Sequence, residues 1–125
     1  DQQKTREAVE KFGDMIRTYP RTPLRADAEA KLNEAIDRLA KHEHLVAKFY
    51  MKRGSNNAAV QRLNYLIDTY PAYSQRASAF YDLGNALQNL GRSGEARLYF
   101  ERVVTEFPDS EYADRAKRRL DEIKA

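Results

Sequence analysis

The stretch PLRADAEAKLNEAIDRLAKHEHLVAKFYMKRG, residues 23–54, decides how the rest of the chain is read. Apolar or small residues recur in it at Leu24, Ala28, Leu32, Ala35, Ile36, Leu39, Val46, Phe49 and Tyr50, with charged residues between them, which is the 3.6-residue rhythm of an amphipathic helix. After Pro23, neither glycine nor proline interrupts it before Gly54. At about 1.5 Å per residue, a single helix over residues 23–53 reaches about 45 Å, roughly twice an ordinary helix. Two helices broken near Lys41 to Glu43 are the alternative. Continuity is preferred because none of those residues is a strong helix breaker.

Working outward, the flanking segments repeat one another. Lys4 to Tyr19 carries Ala8, Val9, Phe12, Met15 and Ile16 and stops at Tyr19-Pro20; Asn57 to Tyr70 carries Ala59, Leu63, Leu66 and Ile67 and stops at Tyr70-Pro71. A third run, Ala96, Tyr99, Phe100, Val103 and Val104, leads to Phe107-Pro108. Proline lacks the backbone N–H and disfavours helical geometry in the residue before it, so each of these prolines marks a helix end. Aligned on the prolines, a small alanine lies twelve residues upstream (Ala8, Ala59, Ala96) and a large apolar residue eight upstream (Phe12, Leu63, Phe100). An alanine also follows each by eight, at Ala28, Ala79 and Ala116. Such self-similarity signals a repeat array. The later two prolines are 37 residues apart, close to the tetratricopeptide period, while the first two are 51 apart. The surplus, about four helical turns, extends the long helix backwards.

Phe80, Leu83, Gly84, Leu87, Gly91, Ala96, Phe100 and Pro108 fall where the tetratricopeptide pattern has its aromatic, Leu-Gly, large apolar, turn glycine, small alanine, aromatic and closing proline. Tyr50, Gly54, Ala59 and Pro71, with Val46 and Ala47, fit the same grid one unit earlier, with Glu43 in place of the first aromatic. Gly84 and Ala96 are expected to let two helices approach closely while Phe80, Leu87 and Phe100 fill the space around the contact. The expected fold is therefore an all-α, tetratricopeptide-like α-solenoid forming one domain over residues 1–125. Its helices are expected at about 3–18, 23–53, 57–69, 75–90, 94–106 and 110–123, the last a capping helix. Gly54 is expected in the left-handed conformation that ends a helix. Helix N-caps are expected at Thr22, Ser74, Ser93 and Ser110 and among Ser55, Asn56 and Asn57.

Composition narrows the function classes. The 125 residues include no cysteine, which excludes disulfides, thiol catalysis and cysteine metal sites. Lys and Arg number 22 against 19 Asp and Glu, yet the signs are interleaved, the pattern of solvated helix faces and not of a nucleic-acid footprint. The one basic cluster, Arg115, Lys117, Arg118 and Arg119, is followed by Asp121 and Glu122 and suits a helix C-terminus. No apolar run approaches the roughly 20 residues of a membrane-spanning helix. The chain begins at Asp1 without a methionine, and the first repeat lacks its first half, so a fragment or processed form is expected.

Catalytic constellations are missing from the pattern. In His42-Glu43-His44 the two histidines point about 200° apart around a helix, whereas a shared metal requires a spacing of four; ordinary surface or groove histidines are expected. No serine has a nucleophile-elbow context and no glycine-rich loop precedes a phosphate ligand. No catalytic residue, cofactor or metal is expected. Eight tyrosines without a tryptophan suit a protein-binding surface. Tyr19 and Tyr70 are expected over helix ends. Tyr50, Tyr81 and Tyr99 either line an inner face or, the favoured reading for any single one, sit in the core or at repeat junctions.

The run from Arg38 to Glu43, then Val46-Ala47, Phe49-Tyr50, Lys52 to Gly54, Ala58 to Arg62 and Tyr70-Pro71, resembles the corresponding part of the BamD-like outer-membrane β-barrel assembly lipoproteins. The resemblance covers about residues 8 to 90. It implies a non-enzymatic scaffold at the periplasmic face of the outer membrane, held there only by an N-terminal lipid anchor missing from this fragment. The chain would be the C-terminal half, which docks on a POTRA domain of BamA and associates with other β-barrel assembly components but not with nucleic acid. An arginine after the Arg-Gly turn pairs with a BamA carboxylate in that family, and the matching position is Arg62; Gln61, Tyr65 and Arg53 join it as partner-binding candidates. Tyr81 to Ile123 is also similar to periplasmic tetratricopeptide proteins that bind TolA and coordinate envelope constriction. A TolA-binding coordinator or a generic tetratricopeptide protein-binding module is therefore the alternative.

Overall fold

The computed structural model describes residues 2–124. It is all-α, with six helices: α1 (Gln2–Thr18), α2 (Arg25–Lys52), α3 (Asn56–Thr69), α4 (Arg76–Asn89), α5 (Ser93–Glu106) and α6 (Glu111–Lys124). The long helix is continuous through Lys41 to Glu43. The chain packs as two compact units, Asp1–His42 and Glu43–Ala125.

The repeat is written into the connections. At each Tyr/Phe-Pro step the last N–H before the proline closes the helix: Tyr19 to Met15, Tyr70 to Leu66 and Phe107 to Val103. The carbonyl of that same aromatic residue then accepts from the N–H three residues on, at Thr22, Tyr73 and Ser110, each at 3.1 Å. This is the turn that a proline in second position pre-sets. The other type of connection depends on glycine. At Gly54 (φ 76) and Gly91 (φ 80) the backbone is left-handed. Ser55 and Gly54 donate to the Tyr50 and Met51 carbonyls, and Arg92 and Gly91 donate to those of Leu87 and Gln88, so both helices end in paired Schellman bonds.

In the unit Glu43–Ala125, α3 packs on α4, α4 on α5, α5 on α6, and α6 reaches back to α4. The fully buried side chains Leu63, Leu66, Phe80, Leu83, Leu87, Phe100 and Val103 fill its core, with Ala59, Ala79, Ala86, Ala96 and Ala116 allowing close approach. Gly84 is the tightest point: a Cβ there would lie 2.6 Å from Phe100 Cε1. Tyr99 stacks on Phe80 with centroids 6.0 Å apart, and Tyr81 lies between Phe100 at 5.6 Å and Tyr112 at 5.5 Å. Tyr81 and Tyr99 are thus repeat-junction residues. Two guanidiniums, of Arg76 and Arg102, sit 4.9 and 4.2 Å from the Phe80 ring centroid. Arg119 does more than place charge at a helix end: it donates to Asn85 and Gln88 and stitches α6 to α4.

Several capping expectations are corrected. Arg92 and Gln75, and not Ser93 and Ser74, occupy the N-cap positions of α5 and α4, and Ser55 at the α3 N-cap makes no side-chain cap bond. Ser110 Oγ donates back to the Phe107 carbonyl, and Thr22 Oγ1 accepts from the Leu24 N–H three residues before α2 begins at Arg25. Ser110 does stand directly before α6, as expected, and at each of these connections backbone turns reverse the chain. Tyr19, 64% exposed, does not pack over a helix end.

Candidate functional site

The Schellman turn at Gly54 folds α3 back beside the last turns of α2. Helical spacing then aligns Glu43 and Tyr50, seven apart on α2, with Ala58, Arg62 and Tyr65, four and three apart on α3. Together with Gln61 these residues line an open groove. At its centre Arg62 Nη1 donates to Glu43 Oε2 at 2.9 Å. Glu43 is 13% exposed and Arg62 40%, so the carboxylate forms the floor and the guanidinium faces water. The hydrogen bond to Glu43 raises the Arg62 pKa above the usual arginine range, opposed by partial desolvation and aided by the charge of Glu43 and by Tyr50. Arg62 is therefore cationic at every physiological pH.

Three of the four partner-binding candidates, Arg62, Gln61 and Tyr65, meet in this groove. Tyr65 is 50% exposed, its ring held edge-on by Tyr70 with centroids 6.4 Å apart. Arg53 lies outside the groove, its guanidinium 4.4 Å from the centroid of Phe49. Phe49 meets Tyr50 edge-on at 5.7 Å, so the two places adjoin. Of the repeat-signature residues, Ala59, Phe80, Leu83, Gly84, Ala96 and Phe100 are in the core, Gly54 forms the turn, and Pro71 and Pro108 follow helix ends. Tyr50 is the exception, facing the groove.

Sequence reasoning missed two groups. Glu43 was visible as an acid in place of the repeat's first aromatic, and an acid on a buried-facing position implies a cationic partner. His44 is the second, and it corrects the expectation of a surface or groove histidine. It is 3% exposed, with Nδ1 2.8 Å from the Tyr73 hydroxyl and Nε2 2.7 Å from Asp82 Oδ2. Facing a carboxylate, Nε2 donates to Asp82, and Nδ1 shares a hydrogen bond with the Tyr73 hydroxyl. Both nitrogens are occupied inside the protein, leaving neither for a substrate or a metal. The network ties α2 to α4 and to the turn between α3 and α4. Among the described residues no group of three His, Cys, Asp or Glu side chains is placed to hold a metal, and no helix is long and apolar enough to cross a membrane.

Comparison with known proteins adds a family. The family described as YfiO, outer membrane lipoprotein, matches residues 1–99. The chain is similar to outer membrane protein assembly factor BamD of Rickettsia prowazekii, 30% identical over 118 residues, which is 94% of this chain and 47% of that protein. It is likewise similar to BamD of Neisseria meningitidis serogroup A, 32% identical over 118 residues, or 93% of this chain and 43% of that protein. BamD of Caulobacter vibrioides is 28% identical over 122 residues, or 98% and 40% respectively. The chain spans about half the length, or less, of these curated relatives.

Proposed function

The chain belongs to the YfiO/BamD family of outer membrane lipoproteins, and from that premise we propose that it is a non-enzymatic scaffold in outer membrane protein assembly, docking at the periplasmic face of the outer membrane on a POTRA domain of BamA. The observation that carries the docking reading is the Arg62 groove: an exposed guanidinium, held in place from below by Glu43 and flanked by Gln61 and Tyr65. A planar fork already oriented loses little freedom when it meets a second carboxylate, so such a contact gives specificity and register at modest cost. Glu43 remains beneath it, because removing a largely buried carboxylate from its guanidinium partner is expensive.

The test is calorimetric titration of the chain with the periplasmic POTRA domains of BamA from the same source, beside Arg62→Gln. Micromolar or tighter binding by the wild type, weakened about tenfold or more in the variant, is the expected result. A well-folded wild type that does not bind overturns the docking reading, and binding to TolA in its place assigns the chain to envelope coordination.

A further inference from the structure

The outward side of α2 beside the groove carries a ridge of different chemistry. Leu45 and Phe49, one helical turn apart, are 55% and 50% exposed, while Ala47 and His44 on the opposite side of the same turns are 0% and 3% exposed. The two large apolar side chains therefore point away from the core. Lys48, Lys52 and Arg53 stand around them, all exposed, and between His44 and Gly54 there is no acidic residue. This differs from the helix surfaces that follow, where Arg92 faces Glu95, Arg102 faces Glu106 and Lys117 faces Asp114 three or four residues away. The Phe49 ring is held from one side by the Arg53 guanidinium at 4.4 Å and from another by Tyr50, which itself lines the Arg62 groove. Ridge and groove are continuous.

We propose that this ridge carries the affinity of the docking surface, with Leu45 and Phe49 entering an apolar hollow rimmed by carboxylates on the partner domain. The proposal rests on the docking reading above and deepens it. Charge complementarity selects the occupant: Glu43 already compensates Arg62, so a further carboxylate gains less there than against three cations with no acid among them. Pre-ordered aromatic side chains in a desolvated centre supply most of the energy of typical interfaces, while charges around them govern encounter. Arg62 then sets register, Phe49 and Leu45 set the dissociation rate, and the lysines set the association rate. The partner surface is acidic with an apolar depression.

Surface-plasmon-resonance kinetics of the full chain with the BamA POTRA domains test this, using Leu45→Ala, Phe49→Ala, their double variant, Lys48→Glu/Lys52→Glu and Arg62→Gln, each checked by circular dichroism. The expected result is dissociation at least about tenfold faster for the Leu45→Ala/Phe49→Ala variant, a larger loss than for Arg62→Gln. The Lys48→Glu/Lys52→Glu variant is expected to associate about tenfold more slowly, with a flatter dependence on salt between about 50 and 300 mM. Wild-type binding with unchanged kinetics in all ridge variants overturns the ridge and leaves the docking reading standing; no wild-type binding overturns both. Sedimentation with phosphatidylglycerol vesicles, or self-association in the ultracentrifuge, that depends on the ridge while POTRA binding does not assigns the ridge to a bilayer or to a second copy, and also overturns the proposal.

Discussion

At position 84 a single methyl group decides whether α4 and α5 can pack. Phe100 is fully buried and its ring fills the place of the missing Cβ, so Gly84→Ala forces a core aromatic off its rotamer, and a loss of about 1–3 kcal/mol in urea denaturation is expected. Gly91→Ala tests a different cause. Nothing lies within 4 Å of a Cβ there, and the φ of 80° alone makes a side chain unfavourable, at about 1–2 kcal/mol by the same measurement. Gly84 was legible in the sequence because the Leu-Gly of the repeat is local and fixed in spacing. His44 was not, because its partners Tyr73 and Asp82 lie 29 and 38 residues further along, beyond any local rhythm. A double-mutant cycle of His44→Ala and Asp82→Ala is expected to give a coupling energy of about 1–2 kcal/mol.

Among the elements, α2 was legible end to end, since only glycine or proline would have broken it and neither falls between Pro23 and Gly54. The helix caps were not. Serines and asparagines stand near the starts of α3 and α5, but the paired backbone bonds at Gly54 and Gly91 already fix the reversal. Ser55→Ala is therefore expected to change stability by less than about 0.5 kcal/mol, below the ordinary cost of losing a side-chain cap, as judged from urea midpoints. Arg119 has the opposite character: it lies in what reads as a surface charge cluster, yet it bonds Asn85 and Gln88 across the α4–α6 contact. Arg119→Ala is expected to lower the hydrogen-exchange protection of α6 about tenfold or more while leaving α3 unchanged.

On the scale of the molecule, the large fully buried side chains among the described residues lie in the unit Glu43–Ala125, whereas the described residues of Asp1–His42 that are buried are Thr5, Ala28, Ala35 and Ala40. Local opening follows buried apolar contact, so native-state hydrogen exchange is expected to show amides of α1 about tenfold or more less protected than those of α4 and α5. Family membership was legible at this scale because the order and spacing of many weak motifs survive together, whereas the binding surface was only partly so. Arg62, Gln61 and Tyr65 were named from resemblance, but their meeting with Glu43 and Tyr50 depends on a chain reversal. The acid-free run from 44 to 54 was hidden because charge averaged along the whole chain looks interleaved; only the helical phase of Leu45 and Phe49 turns it into a face. The closed contact of His44 with Tyr73 and Asp82 also gives the molecule a spectroscopic signature. An imidazole N–H hidden from water and bonded to a carboxylate exchanges slowly and resonates far downfield in the proton NMR spectrum, clear of the amides, and with two histidines in the chain its line needs no isotope label to assign. Following that line while a partner is added reports directly whether α2 keeps its seat on α4.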